Sequence, residues 1–185
     1  MKKIIGLCLL GVYLITLSAC DSTVQNEDRQ KASDTNTSQS TKNSNSAEIS
    51  TNKVFGKDEW WEVDGLWKLK VNSVTTTEER NQFDESNPAQ VVVVSYSYEN
   101  LGYEDDIQDL YFTPEKVIDS GRKVASTYPG GVNTHPQPTP VGAIMENAEE
   151  AYGLSQPDGS VKIIFEKFDK DYNKYTATFE VAVNQ

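Results

Sequence analysis

The sequence predicts an all-β sandwich domain. Three observations point there: apolar–polar alternation in several segments, turn residues between them, and almost no stretch with a convincing helical stripe. The periodic region begins near Val54 and runs to Val183, and residues 54–185 are long enough for one core.

The elements follow in order. Trp67-Lys68-Leu69-Lys70-Val71-Asn72 alternates with Trp67, Leu69 and Val71 on one side, the period of a half-buried strand. Gln90–Glu99 is the strongest strand. Four consecutive valines, Val91 to Val94, predict an end buried on both faces, after which Tyr96 and Tyr98 share the apolar side. Val117-Ile118 and Lys123-Val124 flank Asp119-Ser120-Gly121, a second hairpin in which Gly121 is expected to take the positive φ. Gly130–Pro140, with two glycines and three prolines, reads as a loop with stiff pieces.

Met145–Tyr152 is ambiguous. Ile144, Ala148, Ala151 and Tyr152 fit a helical stripe, so a short helix near residues 145–152 competes with a strand. Val161–Phe168 and Lys174–Val183 are expected to pair through the polar connection Asp169–Asn173. In the second of these, Tyr175, Ala177, Phe179, Val181 and Val183 fall on one face.

The N-terminus has a different character. Lys2 and Lys3 precede an apolar run from Ile4 to Leu17, closed by Ser18 and Ala19. That is the layout of a secretory signal, and the run is shorter than a membrane span needs. Leu17-Ser18-Ala19-Cys20 resembles the lipobox of bacterial lipoprotein signal peptides. The resemblance implies cleavage after residue 19, a diacylglycerol on Cys20, and attachment to the extracellular face of the cell membrane. An ordinary secretory signal with a chance cysteine is the alternative. With Cys8 removed alongside the signal, Cys20 would have no partner, which excludes a disulfide framework.

Of the 33 residues from Asp21 to Lys53, 20 are Ser, Thr, Asn or Gln. So little apolar surface cannot offset the entropy of ordering, so residues 20–53 read as the anchor cysteine and a flexible polar tether. The domain, residues 54–185, carries 23 acidic and 11 basic residues, a net charge of −12. That excess makes nucleic acid and the anionic membrane surface poor partners.

Lys68–Thr75, Val91–Tyr98, the Phe112–Tyr128 stretch with Asp119-Ser120-Gly121-Arg122-Lys123, and Thr176–Val181 occur in an order that resembles an immunoglobulin-like domain family of unknown function. Its members are secreted or lipoprotein-anchored in Gram-positive bacteria. Pro129-Gly130-Gly131 and Thr139-Pro140-Val141-Gly142 add to the likeness. The resemblance spans about Trp60 to Val183 and implies an immunoglobulin-like antiparallel β-sandwich. It carries no catalytic residues across; it implies a binding, adhesion or accessory module.

Candidate chemistry is sparse. Glu104, Asp105, Asp106 and Asp109 form the densest acidic cluster and are the candidate calcium ligands, although they lack the spacing of a calcium loop. A solvated loop is the preferred account of them. Glu146, Glu149 and Glu150 form a second cluster, and Asp169 and Asp171 suit a turn. His135 is the single histidine, with no cysteine to complete a zinc site and no Gly-x-Ser-x-Gly elbow elsewhere. No cofactor is implied.

Trp60 and Trp61 are adjacent, so in a strand they point oppositely; one is expected at the surface as a possible binding anchor. These features favour a non-enzymatic surface module binding protein, peptide or wall polymer. An envelope accessory acting on a neighbouring membrane protein is the second reading. A wall hydrolase using paired carboxylates is the third.

Overall fold

The structure is a computed structural model that describes residues 48–157 and 159–185. The signal segment, Cys8, Cys20 and the tether up to residue 47 lie outside the described residues. The described part is all β, with nine strands: β1 Glu48–Phe55, β2 Trp61–Val63, β3 Trp67–Thr77, β4 Gln90–Asn100, β5 Lys116–Ile118, β6 Ser126–Thr127, β7 Ile144–Leu154, β8 Ser160–Phe168 and β9 Lys174–Ala182. They form a four-stranded sheet in the order β1-β9-β8-β5 and a five-stranded sheet in the order β2-β3-β4-β7-β6.

The two sheets pack face to face over one core. Alternation does the sorting: Trp67, Leu69 and Val71 from β3 and Val92, Val94, Tyr96 and Tyr98 from β4 face Ile163, Phe165, Ala177 and Phe179 from β8 and β9. Aromatic rings dominate the contact. Phe112 meets Trp61, Trp67, Tyr98 and Phe165 in edge-on geometry, with centroids 5.6–6.2 Å apart. Each such buried ring contributes about 1.5–3 kcal/mol by leaving water, in a chain whose described residues hold no disulfide. The tyrosine hydroxyls stay satisfied: Tyr96 donates to the Phe112 carbonyl at 2.9 Å and Tyr98 to that of Gln137 at 2.6 Å.

The valine run in β4 is buried on both faces, as its composition predicts. Val92 and Val94 enter the main core. Val91 and Val93 join Tyr128 and Ala151 in a small cluster outside the five-stranded sheet, with Val132 packed against it. The Gly130–Pro140 segment is indeed irregular, and its first part forms this cover. It is pinned where Glu149 N–H donates to the Thr134 carbonyl at 2.7 Å and the Glu149 carboxylate accepts from Asn133 N–H at 2.7 Å.

Four details differ from expectation. Residues 145–152 are strand, not helix, because they pair with β4 along the middle of the sheet. Of the residues that fit a helical stripe, Ala148 and Tyr152 face the main core, Ala151 packs into the outer cluster and Ile144 is exposed, while a bulge at Glu146–Asn147 adds one residue between the inward Met145 and Ala148. Secondly, β1 begins at Glu48, inside the segment read as tether, and pairs with β9 in parallel, so the sandwich is not wholly antiparallel. Its contribution to the core is Phe55, whose ring lies 5.2 Å from that of Phe179.

Thirdly, β3 continues past Asn72 to Thr77, with a bulge between Val71 and Ser73. Finally, the Asp119–Lys123 turn puts its positive φ on Arg122, at 63°, rather than on Gly121. Gly121 is needed for room instead, since a Cβ there would lie 2.6 Å from Gln156 Cγ. Asp119 explains that closeness. Its buried carboxylate accepts from Lys123 N–H at 2.8 Å and from Ser155 and Gln156 N–H at 3.1 Å each, tying this turn to the β7–β8 connection.

Candidate functional site

One end of the sandwich is built around Asn100, the last residue of β4. Its side chain is fully buried and all four hydrogen-bonding positions are used. Oδ1 accepts from Gly102 and Tyr103 N–H at 3.1 and 2.7 Å; Nδ2 donates to the carbonyls of Tyr103 and Thr139 at 3.0 and 2.9 Å. The Leu66 carbonyl accepts from three successive N–H groups, those of Leu101, Gly102 and Tyr103. Backbone packs so tightly here that a Cβ on Gly102 would lie 2.5 Å from the Gly65 carbonyl oxygen. The chain therefore leaves β4 along one defined path.

That path tucks Tyr103 under the loop, with its ring 5.7 Å from Trp67 and the Lys167 ammonium 4.8 Å from its centroid. The Tyr103 hydroxyl donates to Asp105 at 3.1 Å, and burial, reinforced by Asp105, pushes the phenol up to about 12. Asp105 is held below the ordinary carboxylate range, first by the Ile107 N–H at 2.8 Å and then by the Tyr103 hydroxyl. Across the gap, the β8–β9 turn is organised by Asp169. Burial works to raise its pKa, but hydrogen bonds from Asn173, Asp171 N–H and the Tyr175 hydroxyl outweigh it and hold the carboxyl low.

Between these loops lies a cleft of about 800 Å³. Glu104, Asp105, Asp106, Asp109 and Asp169 line it, with Lys170 as the one cation in the lining. Three apolar side chains stand in the same lining: Ile107 is 93% exposed, Tyr172 75% and Val141 51%. Tyr172 also has a φ of 62°, a left-handed conformation that suits glycine or asparagine far better than tyrosine.

The structure thus brings the first acidic cluster together with Asp169 of the predicted hairpin. Among the described residues, no group of three or more His, Cys, Asp or Glu is arranged to hold a metal ion. The calcium candidates Glu104, Asp105, Asp106 and Asp109 line a cleft, and the Asp105 carboxylate already serves its own loop. Sequence reasoning missed Ile107, Val141 and Tyr172. Their signal was an isolated apolar residue inside a polar turn, outside any strand period.

Other candidates fall elsewhere. Trp61 is core, 2% exposed, so it is no binding anchor; Trp60 points outward at 36%. His135 lies on the cover loop beside Glu149 and Glu150, lining a small hollow with Tyr128. Burial raises the Glu150 pKa, opposed by the Tyr152 hydroxyl that donates to it at 2.7 Å and by the His135 charge. Glu146 belongs to a separate groove on the sheet.

No protein-family model, no curated protein and no solved structure matches the chain.

Proposed function

We propose that this protein is a non-enzymatic binding module held at the outer face of a bacterial cell membrane, and that its end cleft takes a cationic, amphipathic segment of another protein or peptide. The carrying observation is the co-location of three exposed apolar side chains with five carboxylates and a single lysine. Apolar side chains left in water at one spot favour association. The surrounding charge selects a basic partner and steers its approach. The strained backbone at Tyr172 supports the same reading, because a turn selected for stability alone would place glycine or asparagine there.

The location rests on the lipobox-like Leu17-Ser18-Ala19-Cys20 and the polar segment behind it, and the likeness to an immunoglobulin-like family of anchored surface proteins agrees with a binding role. The anchor makes the membrane a partner through lipid, while the acidic domain favours contacts away from the anionic surface. Replacing Cys20 with serine should then release the protein into the medium.

The test is titration of the purified full chain with a twelve-residue peptide of alternating lysine and leucine, read by calorimetry, with a glutamate–leucine peptide as control. Binding of the basic peptide alone is expected. It should weaken at least tenfold in Ile107→Ser and fall steeply as salt is raised. Equal binding of the acidic peptide, or indifference to Ile107→Ser, overturns the proposal.

A further inference from the structure

The outer face of the five-stranded sheet is covered at one end by Tyr128 and Val132 and open at the other. The open end holds a groove of about 310 Å³, at the low end for small-molecule sites. Two bulges create its floor. Val71 pairs with Tyr96 and Ser73 with Ser95, which leaves Asn72 as an extra residue in β3. Tyr96 pairs with Ala148 and Tyr98 with Met145, so Ser97 faces both Glu146 and Asn147 of β7. The β7 bulge lies directly opposite Ser97, and the β3 bulge lies opposite the neighbouring Ser95–Tyr96 step of the same central strand.

Bulges re-aim side chains, and here they gather three polar ones. Asn72 Nδ2 donates to Ser97 Oγ at 2.8 Å and to Asn147 Oδ1 at 3.0 Å; Asn147 N–H donates to Ser97 Oγ at 3.0 Å. Asn147 takes a φ of 54° to do so. Asn72 Oδ1 is left buried without a hydrogen-bond partner. Ser97 Oγ thus accepts twice. Ser97 lines the groove with a hydroxyl proton still to give, which points to a ligand that accepts from it.

The walls specify the ligand's class. Trp60 and Ile144 are exposed apolar surfaces in the lining, and Asp58, Lys70 and Glu146 are the charged groups. The Lys68 and Lys70 ammonium groups lie 5.0 and 5.1 Å from the Trp60 ring centroid, while Lys68 also pairs with Glu99 at 2.7 Å and Lys70 approaches Asp58 at 3.9 Å. The cations are thus already neutralised, and an anionic ligand would meet two carboxylates. An extended peptide adds at a free strand edge, whereas Ser97 on the floor belongs to β4, which is paired on both sides by β3 and β7.

We infer that this groove is a saccharide subsite taking one or two rings of a neutral glycan. The C–H face of a sugar ring packs on an indole, and hydroxyls both donate and accept. Its hydroxyls donate to the Asp58 and Glu146 carboxylates, and Ser97 and Lys70 donate to sugar oxygens. The site is independent of the end cleft, and its ligand need not be the cleft's partner.

The experiment presents the purified full chain to an array of neutral oligosaccharides that includes N-acetylglucosamine oligomers, followed by fluorescence titration with the best-retained member. Of the three tryptophans, Trp61 and Trp67 are core, so a change in indole emission reports on Trp60. At least one neutral oligosaccharide should be retained and should change that emission. Trp60→Ala should weaken it tenfold or more, and Glu146→Gln several-fold, with thermal unfolding of the Glu146→Gln protein unchanged. The inference is overturned if no neutral saccharide is retained above a blank, or if retention survives both substitutions.

Discussion

Asn100 and Tyr103 exchange a pair of hydrogen bonds: Tyr103 N–H donates to Asn100 Oδ1 at 2.7 Å, and Asn100 Nδ2 donates to the Tyr103 carbonyl at 3.0 Å. The same amide also holds Thr139, so one buried side chain fastens the acidic loop to the connection that leads into β7. Asn100→Ala would remove four hydrogen bonds, taking the amide donor from the Tyr103 and Thr139 carbonyls while the Gly102 and Tyr103 N–H groups keep only the Leu66 carbonyl. A loss of about 3 kcal/mol is expected, read as a lowered midpoint in urea unfolding. Asn100→Asp keeps the acceptor bonds but sets a carboxylate against two carbonyls, so it should destabilise as well. A loss below about 1 kcal/mol in both variants would show that the loop is held elsewhere.

Asp119 and Gly121 act together. Asp119→Ala removes three charge-assisted bonds from backbone N–H groups and should lower the unfolding temperature by roughly 5–10 °C. Gly121→Ala should destabilise by crowding Gln156, and Gly121→Ala combined with Gln156→Ala should recover much of the loss. If a left-handed backbone were the reason for the glycine, removing Gln156 would recover nothing.

Tyr172→Gly separates stability from binding. Glycine relaxes the positive φ, so the variant should be neutral to about 1 kcal/mol more stable by thermal unfolding. The same change removes a ring that is 75% exposed in the cleft, and affinity for the lysine–leucine peptide should drop several-fold. A variant that loses stability and keeps full affinity would contradict the role given to this tyrosine.

Acid should loosen the β8–β9 turn. The Asp169 carboxyl is held below its ordinary value in the folded chain, so the unfolded state takes up the proton more readily. The stability it contributes is present above the ordinary carboxylate pKa of about 3.9 and is lost as pH falls through the lower folded value. Thermal unfolding of the natural chain and of Asp169→Asn should therefore differ at pH 7 and converge toward pH 2–3. A gap that stays constant over that range would exclude the carboxylate as its source.

The composition of strands β3, β4, β8 and β9 was enough to locate them, because alternation over a half-buried face is a local property of the chain. The β8–β9 hairpin and the double burial of Val91–Val94 were legible for that reason. Burial of Ala151 under the outer cover blurs the alternation of β7, and the bulges in β3 and β7 each advance the period by one residue. A bulge exists only relative to a partner strand, and no local pattern announces it. The same holds for Gly121, which is required by Gln156 from a distant turn.

The chain by itself determined the fold class, an acidic domain and the apolar, small-residue approach to Cys20, since each follows from residue type and near-neighbour spacing. Only the tertiary structure decided that Trp61 is core while Trp60 faces out, and that Asp169 and Tyr172 meet the Glu104–Asp109 loop across a cleft. It alone placed Asn72, Ser97 and Asn147 on one floor. Those groupings depend on which strand ends share one edge of the sandwich and on how register closes between strands far apart in sequence. Long-range pairing sets both, and the energy that fixes it comes from the shared core rather than from the site residues themselves.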